Sequence, residues 1–202
     1  GTDIYLADDY TRRVADRVDG IVLPAVPFGY SWVWQDLPGT ITVGHRTLGA
    51  YLTDVIASVE RSGFGMLVLI DGHESNTTIM KHVVRDYAAH SDFPVVRLFY
   101  PRMAELRSEI LSSETWYGMI HACEFETSLM LDSRPELVDM SRAVREYPDF
   151  SDDYHYGAEQ LGNISDSGVY GDATLATQDK GRKLFERFVD EAVAIVRRRL
   201  PG

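Results

Sequence analysis

The run Gly65-Met66-Leu67-Val68-Leu69-Ile70 is apolar throughout and breaks at once into Asp71-Gly72-His73-Glu74-Ser75-Asn76. An apolar run without polar alternation is the pattern of a strand covered on both faces, as in a parallel sheet. Asn76 to Ala89 then carries Ile79, Met80, Val83, Val84 and Tyr87 at helical spacing. The polar segment therefore falls between a strand's carboxyl end and a helix, the crevice position where open α/β sheets bind ligands. A chain with this unit at its centre is constrained to a layered α/β fold.

The flanking sequence agrees with that constraint. Asp8 to Asp19 reads as a helix with Tyr10, Val14 and Val18 on one face, stopped by Asp19-Gly20, and Ile21 to Pro27 as an extended strand with two edge-type prolines. Phe28 to Gly44 holds aromatic and turn residues and reads as a lining loop. Thr47 is a candidate N-cap for a helix in which Leu48, Tyr51, Leu52, Val55, Ile56 and Val59 keep one face, ending at Ser62-Gly63. A strand at Val95 to Tyr100 follows, then a charged helix from Pro101 to Glu114, a long loop from Asp149 to Thr177 and a closing helix from Gln178 to Leu200. The alternation predicts one α/β domain over 1–202 with a mostly parallel sheet flanked by helices on both sides.

Composition removes several classes of function. The net charge of −11 argues against a nucleic-acid partner, because the only basic cluster, Arg197-Arg198-Arg199, closes a helix where cations suit the dipole. No run approaches the roughly 20 apolar residues of a membrane span. A single cysteine, Cys123, rules out an internal disulfide framework and fits a reducing, cytoplasmic setting; it reads as a small buried thiol.

Three segments join ligand-type side chains to turn residues: Gly1-Thr2-Asp3, Asp71 to Asn76, and His121-Ala122-Cys123-Glu124-Phe125-Glu126-Thr127-Ser128. Their Asp, Glu and His side chains are oxygen and nitrogen donors suited to zinc or manganese. His121 and Glu126 are five residues apart, about 140° around a helix. They would not share a helical face, so His121 is expected in a loop and Glu126 in the first turn of the helix that follows. Trp32 and Trp34 fit either a substrate crevice or a subunit interface. His45, His82, His90 and His155 lack such context and read as surface or loop residues.

The string His73 to Asn76 after an apolar strand, and His121-Ala122-Cys123-Glu124-Phe125-Glu126-Thr127-Ser128 continuing to Leu131, resemble the creatininase (creatinine amidohydrolase) family. The Gly1-Thr2-Asp3 start, the Pro38-Gly39-Thr40 turn and Pro135-Glu136-Leu137-Val138 match in the same order. The resemblance implies a binuclear metal hydrolase with two divalent ions, zinc or manganese, acting on a small cyclic amide or related C–N bond, and a homo-oligomer, often a hexamer. It makes Asp3 the bridging carboxylate, His73 and Glu126 further metal ligands, and His121 a proton-handling residue beside the substrate. Glu74 is the second proton-transfer candidate; Tyr117, Trp116 and Trp34 are the substrate-side candidates. It also implies a Glu-x-His ligand pair upstream of Gly-Thr-Asp, so further residues are expected before Gly1, and 1–202 is expected to lack the domain's first strand.

The strand-end loop departs from the family pattern, with an aspartate at Asp71 and the carboxylate of Glu74 shifted by one position. That departure weakens creatinine itself as the substrate. It keeps open a different cyclic amide, a formamide, or a cyclic ketone such as a keto-inositol whose ring C–C bond is hydrolysed; the Glu-x-His pair missing from 1–202 keeps open a metal-poor relative that binds without turnover.

Overall fold

The computed structural model describes residues 1–117 and 120–201. Its elements run α1 (Thr2–Val18), α2 (His45–Arg61), β1 (Leu67–Ile70), α3 (Glu74–Ala88), β2 (Val95–Leu98), α4 (Met103–Ile110), α5 (Glu124–Ser133), β3 (Arg145–Glu146), β4 (Gly171–Asp172) and α6 (Gln178–Arg199). The chain divides into two compact units. One holds residues 1–6, 32–40 and 102–187, the other 7–31, 41–101 and 188–202.

The second unit contains the parallel pair. β1 and β2 run side by side with Leu67 opposite Val95 and Ile70 opposite Leu98, and α3 makes the crossover between them. Parallel neighbours need such a crossover, because a tight hairpin reverses the chain. On one face of the pair, Leu48, Leu52 and Ile56 of α2 meet Met80 and Val83 of α3 over Leu67, Leu69 and Val95. Strand alternation turns Val96 and Leu98 to the other face, where both are buried. Two residues on, Tyr100 stacks on Tyr10 of α1 at 5.5 Å and meets Phe188 of α6 at 4.9 Å, while the Tyr10 hydroxyl donates to the Phe188 carbonyl at 3.1 Å. Helices thus cover both faces, as the apolar run predicts.

Several boundaries differ from the sequence reading. Ile21 to Pro27 forms no strand: Pro24 and Pro27 have no N–H to give a ladder, and Ile21 and Leu23 are exposed. α1 begins at Thr2, which takes Asp3 into its first turn. α2 begins at His45 behind Gly44, so Thr47 is not its cap. α4 is confined to Met103–Ile110: Arg102 ahead of it is left-handed with φ of 56°, and Leu111 after it is extended. β1 is half-buried instead of sealed, its ladder being formed with β2.

In the first unit, β3 and β4 pair antiparallel, Arg145 opposite Asp172. The Asp149 to Thr177 segment has short helical turns at Tyr154–Tyr156, Leu161–Asn163 and Ala173–Leu175. Gly168 to Ala173 within it is buried, so this part of the expected long loop is core. α6 crosses α5 so closely that a Cβ on Gly181 would lie 1.8 Å from the Ser128 carbonyl oxygen, which only glycine permits.

That crossing places a fully buried carboxylate, Glu124, beside Lys180. Glu124 accepts from the backbone N–H of Ser112 at 2.9 Å and of Ser113 at 2.7 Å, and pairs with Lys180 Nζ. Removing one partner of such a pair leaves an uncompensated buried charge. Lys180→Met should therefore cost about 2–4 kcal/mol in denaturant unfolding, less than a fully sealed pair because Lys180 keeps some exposure. Adding Glu124→Gln to that variant should recover much of the loss.

Candidate active site

His121 sits three residues ahead of α5, and Glu126 is the third residue of that helix. The loop and first-turn placement expected from their spacing is therefore what forms. Glu124 and Glu126 lie about 200° apart around α5, so when Glu124 faces Lys180 the other carboxylate faces away from it. Glu126 accepts from the backbone N–H of Ala122, a residue held at φ of 49°. One hydrogen bond thereby ties the helix carboxylate to the loop that carries His121.

The imidazole of His121 is fixed from two directions. Its ring lies on the indole of Trp34, with centroids 3.7 Å apart and planes 18° from parallel. Its Nδ1 is 2.6 Å from the Gly168 carbonyl oxygen. A carbonyl brings no proton, so Nδ1 is the donor, and in the neutral ring Nε2 then keeps the lone pair. The backbone of His121 pairs with Tyr170, which donates to it at 2.9 Å.

An aromatic wall continues from this point. Trp34 meets Tyr170 edge-on at 5.7 Å, Tyr170 meets Phe150 at 5.7 Å, and Phe150 meets Tyr117 at 4.9 Å. Tyr117, exposed and at φ of 50°, packs against Trp116, whose indole N–H donates to the Pro148 carbonyl at 2.6 Å. Trp34, Trp116, Tyr117 and His121 thus share one wall, in which Phe150 and Tyr170 also take part. Those last two lie in the non-periodic stretch after Asp149, where residue spacing gives no sign of facing. A cleft of about 430 Å³ holds Glu126 together with Thr2, Asp139, Arg142, Ser167 and Val169. Asp3 follows Thr2 in the first turn of α1.

In the second unit, His73 occupies the cap position of α3, and its Nε2 is buried. Glu74 is the first residue of that helix and is exposed. The loop is organised by Asp71, which is 5% exposed. Asp71 accepts from His73 N at 3.0 Å, Asn76 Nδ2 at 3.1 Å and Thr77 Oγ1 at 3.1 Å. Burial nonetheless pushes its carboxyl above the ordinary range, and the three donors only moderate that effect. Asn76 also accepts from Tyr30 N at 2.8 Å, tying the aromatic loop to the strand end. Asp71, Asn76 and Glu124 are positioning residues that spacing does not single out. All three lie within the segments rich in ligand-type residues, and only burial and hydrogen bonding show what each one holds. Within either unit, among the described residues, no three His, Cys, Asp or Glu side chains form a ready metal cage.

Comparison with known proteins adds to this geometry. The family model described as "Creatininase: Creatinine amidohydrolase" matches residues 1–196. A creatinine amidohydrolase of Pseudomonas putida is 30% identical, spanning 98% of this chain and 82% of its own. A mycofactocin precursor peptide peptidase of Mycobacterium ulcerans (strain Agy99) is 28% identical over 100% of this chain and 79% of its own. A 3-dehydro-scyllo-inosose hydrolase of Thermotoga maritima is 25% identical over 98% and 71%. Among solved structures, a creatininase mutant of Zn-Zn type superimposes with a TM-score of 0.85 at 28% identity, covering 100% of this chain and 84% of that one. A creatininase Mn structure gives 0.84 at 27%, again covering 100% and 84%.

Two outcomes follow from the local networks. Asn76→Ala removes one donor to a buried carboxylate and one acceptor of a backbone N–H, and should cost about 1–3 kcal/mol in denaturant unfolding. Burial pushes the Cys123 thiol up to about 11. Because its folded value lies above the unfolded value of about 8.5, the stability it contributes is complete below that unfolded value and is lost as pH rises toward the folded one. Native protein at pH 9 should accordingly resist iodoacetamide at this residue, whereas unfolded protein should be alkylated promptly.

Proposed function

The chain belongs to the creatininase family, and from that membership we propose a metal-dependent amidohydrolase that opens a C–N bond in a small cyclic substrate by water attack. Residues 1–202 act as one creatininase-like domain in this reading. The observation that carries it is His121, stacked on Trp34 with Nδ1 tied to Gly168 and Nε2 left as the proton-accepting nitrogen. The aromatic wall supports a flat substrate, since planar rings offer faces to stack on and little room for branched chains.

The Zn-Zn and Mn forms of the structural relatives support two divalent cations, zinc or manganese. The donor chemistry fits: Asp3 and Glu126 offer carboxylate oxygens, and His73 offers a buried imidazole nitrogen. Such ions, when bound, would lower the pKa of water and polarise a carbonyl. His121 Nε2 takes a proton from the attacking water and returns it to the leaving nitrogen, the ordinary duty of a positioned imidazole. Glu74 is the second proton carrier, and Trp34, Trp116 and Tyr117 line the substrate side. The exposed apolar side chains Ile21, Leu23, Val26 and Phe28 support assembly into a homo-oligomer.

The relationship to the inosose hydrolase supports a second reading, cleavage of a ring C–C bond beside a ketone. Product analysis separates the two, because only C–N cleavage creates a new amine.

The natural protein purified without chelator should carry near two equivalents of zinc or manganese per chain by elemental analysis. His121→Gln should keep the metal and lose about 10²–10⁴-fold in kcat on a cyclic amide. Glu126→Gln should lose metal as well as activity. Near-zero metal, with no uptake on addition, would overturn the proposal and favour a relative that binds without turnover.

A further inference from the structure

A surface carboxylate remote from α5 in sequence is built into the support of His121. Glu146, on β3, accepts from the backbone N–H groups of Asp166 at 2.8 Å and Ser167 at 2.9 Å, and from the Ser167 hydroxyl. Burial works against its ionised form, yet these donors hold the Glu146 carboxyl below the ordinary range. The turn it grips is closed from inside by Ser165, a buried residue whose hydroxyl accepts from Gly168 N at 2.8 Å. Gly168 completes the turn at φ of +80°, a conformation costly for any residue with a Cβ. The product of this arrangement is one carbonyl, that of Gly168, aimed at His121 Nδ1 from 2.6 Å. β3 is paired to β4, with Glu146 opposite Gly171, so the grip is anchored on the strand that follows the gripped turn.

We infer that Glu146 and Trp34 are positioning residues for His121: Glu146 holds the turn whose Gly168 carbonyl fixes the Nδ1–H tautomer, and Trp34 holds the plane of the ring. The inference rests on the reading of His121 as the proton carrier. The two supports act on different freedoms of the same side chain. A hydrogen bond at Nδ1 selects the tautomer and sets the flip of the ring. The buried indole stops the ring from turning about χ2, which is otherwise a broad torsion. Together they leave Nε2 in one place and the neutral ring in one tautomer before substrate arrives, which is the preorganisation a proton-transfer group needs. No residue of the 165–168 turn has to touch substrate for this to matter.

The test reads the tautomer directly. Protein labelled at the histidine ring nitrogens is examined by long-range proton–nitrogen correlation at about pH 8.5, where unperturbed imidazole is neutral. The chain has 6 histidines, and His121→Gln identifies the signals that belong to this one. The parent should show a protonated Nδ1 and a bare Nε2. In Glu146→Gln one accepting oxygen becomes a donor, so the turn loosens and the Nε2–H tautomer should become detectable. The same variant should lose about 10- to 100-fold in kcat with KM little changed, the scale of a displaced catalytic group. Trp34→Phe, which keeps a face for the ring, should retain more activity than Trp34→Leu.

An Nε2–H tautomer in the parent, or an unchanged tautomer in folded Glu146→Gln, overturns the inference. Should Glu146→Gln fail to fold, Ser167→Ala is the milder variant: it removes one donor to Glu146 and should shift the tautomer in the same direction, and no shift there is equally decisive against the idea. If the tautomer behaves as expected while no cyclic amide is hydrolysed, the positioning stands and the amidohydrolase reading falls.

Discussion

The carboxylate of Glu124 is fully buried, and the presentation of the neighbouring functional groups depends on how it is paired. A buried ionised carboxylate is tolerated only with a cation and hydrogen-bond donors around it. Lys180 and the Ser112 and Ser113 N–H groups supply both. Because Glu124 opens α5, this pairing fixes the rotation of the helix's first turn. Glu126, two residues on, is then turned to the far side, where it takes the Ala122 N–H and borders the cleft. The close α5 and α6 crossing at Gly181 serves the same end, because Lys180 is the residue beside it.

The strand end in the other unit follows a parallel logic with a different device. Asp71 is buried at the carboxyl end of β1, and three donors within the next six residues converge on it. A segment bonded to one acceptor through a backbone N–H and two side chains has little freedom, and His73 is carried on it as the cap of α3. Asn76 extends the network to Tyr30, so the aromatic loop is held to the strand end by a single amide. In both units a buried carboxylate organises the chain beside a residue whose donor atoms suit a metal ion, Glu126 in one and His73 in the other.

The legible parts of the fold were those with strong period. The helix face led by Leu48, Leu52 and Ile56 is buried where its spacing puts it, the closing helix forms over Gln178–Arg199, and the apolar run at Leu67 to Ile70 is a parallel strand. Ile21 to Pro27 misled because apolar composition alone does not make a strand; a ladder needs N–H groups and a neighbour, and two prolines remove the first. Asp149 to Thr177 misled in the opposite sense. Its Gly, Ser and Asp content reads as a long loop, yet Gly168 to Ala173 is buried because Ser165, Glu146 and the β3 pairing satisfy its backbone.

By itself the sequence determined the α/β class, the helical faces, the family, and the residue types Asp3, His73, His121 and Glu126 whose donors suit metal and proton chemistry. Those are local properties: periodicity, turn chemistry and motif order are written in neighbouring residues. Only the tertiary structure decided that His121 lies on Trp34, that its Nδ1 meets the Gly168 carbonyl, and that Glu146 holds the turn offering it. These partners are separated by 20 to 87 residues, too far for any local pattern to pair them. The physical reason is that ring stacking and a single carbonyl hydrogen bond depend on ångström-scale placement. Packing and loop closure set that placement, and residue order does not.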